Sequence, residues 1–307
     1  MSREVAPTPP INGSAQEIAT WLQHPAIDAP TLADDIRFSV VLSALNVPAG
    51  RGDVGELWDG TVHLSWLGGP AAGPLPQWPQ RQDGKKLAHV ATLHLGEVAD
   101  VVDPGFRQAW GPGMPDPDDP AESLPSNGIL ELFHDCETFG EDATDVSSGA
   151  WQVRWVASPD GNIVEPPEGT EPPTDVCQVV IPQASFSVRS PADSIELPEA
   201  AFNRVEQINN LILEAWQSVY KAGGETAHLP LSHAYGHSWQ GRNGAEVTLD
   251  EVLPLTANDE HVLILDLESW THLEGWFGDA WHLEVWMRRS DLAARSFDHA
   301  WCLIRAS

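Results

Sequence analysis

The chain has 307 residues, 42% of them hydrophobic, and carries 45 acidic against 16 basic residues, a formal net charge of −29. This composition is typical of a globular protein with a substantial core, and no stretch reaches the roughly 20 apolar residues of a membrane helix. An acidic surface repels phosphate backbones and anionic lipid headgroups, so we expect no nucleic acid or membrane partner.

The N-terminus and the cysteines both favour a cytoplasmic protein. No apolar run follows Arg3, so we predict no secretory signal. Cys136, Cys177 and Cys302 are an odd number without C-x-x-C spacing, which suits a reducing compartment and argues against a disulfide framework. We expect them to be small core residues and not catalytic thiols.

Residues 1–58 are predicted to form an arm, a helix and a strand that pack on the core. Residues 14–17 (Ser-Ala-Gln-Glu) are a capping box that opens the helix, and Pro25 ends it. The apolar run 36–45 predicts a buried strand. The glycines of residues 50–55 superficially match a dinucleotide loop, but we interpret this segment as a turn because no crossover helix and acidic partner follow.

Residues 59–190 are predicted to form a first, sheet-rich half with an acidic insertion. Apolar runs that alternate with turn residues predict five strands, at residues 61–67, 87–95, 128–134, 150–157 and 176–181. Gly and Pro dominate residues 68–79 and 165–173, which are therefore predicted to be irregular.

Residues 191–307 are predicted to form a linking helix and a second half. Pro198 suits a first helical turn, and apolar residues then recur every three or four positions as far as Val219. The pair Gly223-Gly224 is predicted to close this helix.

The two halves share three short matches in the same order, which indicates an internal duplication. We therefore predict an internally duplicated, sheet-rich α+β fold with a long helix between the halves, and a cleft at their junction where ligands often sit. The matched segments are LSWLGG (64–69) with LSHAYG (231–236), VATLHL (90–95) with VLILDL (262–267), and ILELF (129–133) with HLEVW (282–286).

Residues 60–305 resemble the YwqG-like family of uncharacterised bacterial proteins through the Gly68-Gly69 turn, Trp78-Pro79, Tyr235-Gly236 and the C-terminal Asp291-Leu292. The resemblance implies a duplicated α+β fold with no assigned activity. Its members are often encoded near secreted-toxin systems, which implies an immunity role by association. Thr92 and Ile264 stand where the family carries a Gln in each half, and this departure argues against a family-wide small-molecule role.

Acidic residues and loop tryptophans supply the candidate partner-binding surface. Only Arg154 is basic between Gln108 and Arg189, and such a surface attracts cationic proteins, although solubility alone is an alternative reason for the charge. Tryptophans in loops are more often binding residues than tryptophans in strands are. The candidates are Trp110, Asp116, Asp118, Asp119, Glu122, Asp135, Glu137, Glu141, Asp142, Asp145, Trp270 and Trp276.

Three other groups of residues invite a chemical interpretation. The acidic run after Glu131 offers oxygen ligands for Ca²⁺ but lacks EF-hand spacing, so we favour a solvated loop. His233 and His237 would suit Zn²⁺ on a helix, but the surrounding Pro and Gly predict a strand and a turn. Glu131 and Glu284 occupy matching positions, as paired carboxylates do in glycosidases, but we interpret each as the polar residue of a half-exposed strand.

No catalytic residue, metal or cofactor is predicted, because nucleotide-binding and nucleophile motifs are absent from the sequence. We predict a non-catalytic protein-binding role, most concretely an immunity protein that neutralises a toxin by occluding its basic active site. The alternatives are a hydrolase or metal-dependent enzyme, or a small-ligand-binding module, using the cleft between the halves. The oligomeric state stays open.

Overall fold

A ten-stranded antiparallel sheet organises the chain into an α+β fold. The computed structural model describes residues 6–44, 50–102, 110, 113–172, 175–220, 231–279 and 281–306. The ten strands run in the order β12-β11-β10-β9-β1-β8-β2-β4-β5-β6, and β3 and β7 pair separately. The strands are β1 Arg37–Ala44, β2 Ser65–Gly68, β3 Ala71–Ala72, β4 Ala88–His94, β5 Ile129–His134, β6 Trp151–Val156, β7 Ile163–Val164, β8 Cys177–Ser187, β9 His233–Ala234, β10 His261–Glu268, β11 His282–Arg288 and β12 Trp301–Arg305.

Eight helices and three 3₁₀ turns accompany the strands in the described part of the chain. The predicted capping box is present, since Ser14 Oγ accepts the Glu17 N–H and Glu17 accepts the Ser14 N–H in return. The helices are α1 Ala15–Leu22, α2 Arg51–Leu57, α3 Leu95–Val101, α4 Asp145–Ser148, α5 Glu199–Tyr220, α6 Arg242–Val252, α7 Ser269–Leu273 and α8 Arg289–Ala293, with 3₁₀ turns at Pro30–Asp35, Pro191–Ser194 and Phe297–His299.

The turn that we predicted at residues 50–55 is wrong, because this segment belongs to α2. The Asp53 carboxylate accepts the Gly50 N–H at 2.7 Å and so caps the start of the helix. Val54 is fully buried in a small core that also contains Trp58 and Trp66. Tertiary burial of Val54 therefore stabilises a helix that two glycines in one turn would disfavour in isolation.

The predicted linking helix is α5, and its apolar stripe faces the main core. Val205, Ile208, Ile212 and Trp216 are buried, whereas Val219 is 55% exposed, so the buried stripe ends one turn before the helix does. The predicted C-cap at Gly223-Gly224 lies outside the described residues.

The sheet has matching positions on either side of the central β1–β8 pair. Five strands flank each side of its midline, and β4 and β10 each carry one register irregularity, at Val90 and Ile264. Thr92 lies opposite Glu131, and Asp266 lies opposite Glu284. Asp266 is therefore the positional counterpart of Thr92, and our alignment of 90–95 with 262–267 was out of step by two residues.

The two edge strands of the sheet, β6 and β12, approach each other. Trp151 Nε1 of β6 donates to Ala300 O at 3.1 Å, and its ring lies 5.0 Å from that of Trp301. The sheet is therefore nearly closed around the largest hydrophobic core, which draws Leu132 and Val285 from opposite sides. Among the described residues, no helix combines the length and the apolar character required to cross a membrane.

Candidate functional site

The predicted acidic surface is only partly exposed, with four of its nine acidic residues exposed. Asp118, Glu137, Glu141 and Asp142 are exposed, and Asp116, Asp119, Glu122 and Asp145 are half-buried. Glu137 pairs with Lys85 at 2.7 Å. Glu141, Asp142 and Asp145 form no salt bridge within the described part of the chain, so their charges face solvent uncompensated.

Two predicted members of this surface are buried, which corrects their assignment as partner-binding residues. Trp110 is 5% exposed and packs edge-on against Phe38, with ring centroids 5.3 Å apart. Asp135 is 1% exposed and accepts the Glu137 and Thr138 N–H groups at 3.0 and 2.9 Å. Asp135 also forms an ion pair with Arg81 at 2.7 Å. Its carboxylate therefore stabilises the turn after β5 and is not available to a protein partner.

The remaining predicted tryptophans lie at the other end of the sequence. Trp270 is 50% exposed, and Trp276 is half-buried against the main core. The carboxylate of Glu122 pairs with Arg289 at 2.6 Å and accepts the Asp116 N–H at 3.0 Å. Trp270 therefore keeps the exposure that a binding residue needs, and Glu122 does not present a free charge.

Two apolar residues of the acidic surface escaped the sequence analysis. Phe139 and Val146 are 40% and 43% exposed; Phe139 lies between Glu137 and Glu141 in the sequence, and Val146 follows Asp145. The Phe139 ring contacts Trp281 at 5.3 Å. The signal was present, since single apolar residues interrupt the acidic run 137–146, but the sequence could not show that they were left outside the core.

The backbone beneath Phe139 is held against the edge strand β12. Ile304 N–H donates to Phe139 O at 3.0 Å, and Trp301 Nε1 donates to Gly140 O at 2.8 Å. Gly140 has φ +77°, and a Cβ there would lie 1.9 Å from Cys302 O, so only glycine allows this approach. We call residues 137–146 the acidic platform.

Glu131 lies in a first buried carboxylate cluster, contrary to our expectation of a half-exposed strand. Its Oε1 accepts the Ala72 N–H at 2.8 Å. Its Oε2 lies 2.7 Å from Arg154 Nε, an ion pair whose N–H is not directed at the oxygen. Burial raises the pKa of Glu131 to about 7, against the opposing charge of Arg154.

Glu284 lies in a second cluster and is equally buried. Ser238 Oγ donates to its Oε1 at 2.5 Å, Trp286 Nε1 donates to its Oε2 at 2.8 Å, and Arg305 reaches both oxygens. Burial, and next the charge of Asp266, raises the pKa of Glu284. Every oxygen of this carboxylate is thus engaged by the protein itself.

Asp266 and His282 form an ion pair in the same cluster, with Nδ1 and Oδ1 2.6 Å apart. Burial alone would raise the pKa of Asp266, but the charge and hydrogen bond of His282 outweigh it, and the net shift is downward. Burial alone would lower the pKa of His282, but the charge and hydrogen bond of Asp266 outweigh it, and the net shift is upward. The backbone N–H of Trp239 donates to Asp266 Oδ2 at 3.1 Å.

His233 and His237 lie on a strand and a turn, as predicted, and bind backbone carbonyls. The His233 ring contacts Leu231 O and His237 O at 2.9 and 3.0 Å, and His237 Nε2 contacts Asp35 O at 2.6 Å. Over the described ranges, no group of three or more His, Cys, Asp or Glu side chains is arranged to hold a metal ion. Cys136 and Cys302 are buried, and burial raises the pKa of both thiols.

A cleft of about 530 Å³ opens where β10 begins and β11 ends. Segment 113–122 of the acidic insertion forms one wall, and β1 forms another. Its lining includes Arg37, Tyr235, Ser238, Ile264, Trp286 and Arg289. Ser238 and Trp286 are also the donors to Glu284, so the second carboxylate cluster lies directly behind the lining. We call this the Arg37 cleft.

Comparison with known proteins gives a family and no activity. Residues 65–305 match the model of a family described as "Domain of unknown function (DUF1963)". No curated protein matches the chain.

Proposed function

The chain belongs to the DUF1963 family, whose description assigns no activity, and from its surface we propose that it is a non-catalytic protein that binds a basic protein partner. The observation that carries this proposal is the acidic platform, a ten-residue segment that combines the carboxylates of Glu141, Asp142 and Asp145, unpaired among the described residues, with the exposed Phe139 and Val146. Apolar anchors inside a charged rim are the usual anatomy of a protein interface.

The charge of the platform would act mainly on the rate of encounter. Glu141, Asp142 and Asp145 add to a whole-chain charge of −29, and complementary fields accelerate association with a cationic surface. The exposed Phe139 ring would supply the apolar contact after encounter. Salt should therefore weaken binding chiefly by slowing association.

The rigidity of the platform favours a preformed interface. The bonds of Phe139 O and Gly140 O to β12 fix the backbone before any partner arrives. An interface that is already ordered loses less conformational entropy on binding than a flexible loop does. Trp270, 50% exposed in the second half, is a further candidate contact.

The narrower form of this proposal is an immunity protein that occludes the basic active site of a toxin. Acidic charge and an apolar anchor suit a cleft that evolved to bind an anionic substrate such as a nucleic acid. The resemblance to YwqG-like proteins and their toxin-linked genes supports this form by association only. We also propose internal duplication, supported by the symmetric strand order and the paired irregularities at Val90 and Ile264.

The two buried clusters lend no support to the hydrolase alternative. Glu131 and Glu284 each bind their own arginine, Arg154 and Arg305, and both are fully buried. A glycosidase needs two carboxyl groups that flank a substrate-accessible gap. The clusters are therefore better explained as structural ion pairs.

Co-purification with the product of each neighbouring gene tests the protein-binding proposal. We expect one product to form a complex whose association rate falls with salt, and whose affinity drops at least tenfold in the Glu141→Lys variant. Glu206→Lys, which makes the same change at an exposed position of α5, is the matched control and should bind normally. No complex with any neighbour, or equal loss in both variants, would reject the proposal.

Protection of cells tests the immunity form separately. Cells that express the neighbouring gene product should survive when the chain is co-expressed and lose that protection with Glu141→Lys. A complex without any protection would retain protein binding and reject the toxin link.

A further inference from the structure

Trp270 presents its indole ring to solvent from a fixed position. The side chain is 50% exposed, and its backbone N–H donates to Glu268 Oε1 at 2.8 Å. A Cβ on Gly275 would lie 2.5 Å from Cζ3 and 2.6 Å from Cε3 of the ring, but 3.8 Å from Cη2. Gly275 therefore meets the edge of the six-membered ring and does not cover either face.

The loop that carries Trp270 is ordered by its own hydrogen bonds. Gly275 N–H donates to Ser269 O at 3.1 Å, and Phe277 N–H donates to Ser269 Oγ at 3.2 Å. Ser269 is fully buried, and Phe277 is buried in the main core. Because the loop is anchored at these two residues, the segment that holds Trp270 loses little conformational entropy when a partner binds. We call residues 269–279 the Trp270 loop.

Trp281 joins the Trp270 loop to the acidic platform. Its carbonyl oxygen accepts the Ser269 N–H at 2.9 Å, and its ring contacts Phe139 with centroids 5.3 Å apart. The exposed rings of Phe139 and Trp270 are therefore connected through Trp281 and Ser269 alone. One partner can cover both rings, since a standard protein interface covers about 800 Å² on each partner.

The Trp270 loop carries carboxylates and no lysine or arginine. Glu274 and Asp279 are exposed, and neither forms a salt bridge in the part of the chain that the structure describes. The sequence has no Lys or Arg between Asn243 and Met287. The face of an indole ring attracts cations through its quadrupole, and does so more strongly than the ring of tyrosine or phenylalanine. The ring and the carboxylates of this loop therefore both favour a cationic group.

We propose that the Trp270 ring binds an arginine side chain of the basic partner, as a second contact of the interface that begins at the acidic platform. This inference rests on the proposed function, in which the partner is a basic protein. A guanidinium group is planar, stacks on aromatic faces and pairs with carboxylates. Glu274 directly precedes the glycine that touches the ring, so a stacked arginine has a carboxylate available from the same loop.

Binding of a fluorescently labelled hexaarginine peptide, measured by anisotropy at physiological ionic strength, tests this proposal. Trp270→Leu should weaken binding about 2- to 5-fold, the effect of one cation–π contact at an exposed site. Trp270→Phe retains an aromatic face and should lose less. Val247→Ala, a change at a 72% exposed apolar residue of α6, is the control and should bind normally. Hexacitrulline, which has a similar shape without the charge, should not bind.

Glu141→Lys in the same titration separates this proposal from the role of the acidic platform. It should weaken binding of the peptide more than Glu206→Lys does, and equal losses would reject the platform. A loss in Glu141→Lys without a loss in Trp270→Leu would retain the platform and overturn the arginine contact. Equal affinities of Trp270→Leu and Trp270→Phe, or hexacitrulline binding as tightly as hexaarginine, would also overturn it. A loss in Trp270→Leu alone would support the arginine contact and reject the platform.

Discussion

Glu131 and Glu284 occupy the same strand position on opposite sides of the sheet, yet the protein neutralises them differently. Glu131 accepts the backbone N–H of Ala72, interacts with the Thr92 side chain and has a poorly aligned Arg154, so its Oε2 lacks a well-directed donor. Glu284 has Ser238, Trp286 and Arg305. The same buried residue is thus weakly satisfied in one half and fully satisfied in the other, and the two clusters should differ in their contribution to stability.

The segments that pack around Glu131 and Glu284 also differ. In the first half, β3 and Trp78 cover the face that carries Glu131, and the space beside Phe133 is filled. In the second half, Arg242 of α6 lines the Arg37 cleft, and Trp286, which also lines it, is 1% exposed. Both carboxylates therefore lie at the same strand position, and the residues that bind them come from different connecting segments.

Glu284→Ala should produce the largest loss of stability. Removing this carboxylate leaves the partly buried Arg305 without its counter-charge, and the buried Ser238 and Trp286 donors without an acceptor. Breaking a buried ion pair in this way costs about 3–5 kcal/mol. Urea unfolding should show a smaller loss for Glu131→Ala, and equal losses would refute the contrast between the clusters.

The stability contributed by Glu131 should depend on pH. Its pKa is about 7 in the fold against an ordinary 4.5, so the folded chain holds a proton that the unfolded chain releases. Stability should therefore fall as pH rises from about 4.5 to 7, by about 3 kcal/mol. Glu131→Gln cannot titrate and should flatten the unfolding free energy in this window, and an unchanged slope would contradict the assignment.

The Asp266–His282 pair should stabilise the fold most at intermediate pH. The raised pKa of His282 contributes stability below 6.5 that is lost as pH rises through the folded value. The lowered pKa of Asp266 contributes stability above 3.8 that is lost as pH falls through the folded value.

His282→Asn should therefore cost about 2 kcal/mol near pH 6, the worth of a charged hydrogen bond, and less at pH 9. Unfolding of both proteins across pH measures the difference. A cost that does not change with pH would mean that the pair is not ionised.

Glu141→Lys should have the smallest effect on stability. Glu141 is exposed and forms no salt bridge to any described residue, so the change should stay within about 0.5 kcal/mol. Glu206→Lys provides the comparison by thermal unfolding. A large loss at Glu141 alone would show that the acidic platform is structural and would weaken its role in binding.

Most of the longer strands and the helices α1 and α5 were predicted from the sequence because their signals are local. The capping box at Ser14, the apolar stripe of α5 and the alternation in β5 each depend on neighbouring residues. The alignment of the halves failed at β10 because the irregularity at Ile264 and the apolar run around it conceal the register.

What the sequence alone determined is the charge, the helices α1 and α5, and most of the longer strands. Only the tertiary structure decided that Glu131, Asp135 and Glu284 are buried while Phe139 is exposed. The reason is physical: burial depends on what packs over a strand or a turn, and those groups come from distant parts of the chain, such as Arg81 for Asp135 and Arg305 for Glu284. The Arg37 cleft has the same origin, since its lining comes from residues as far apart as Arg37 and Leu292.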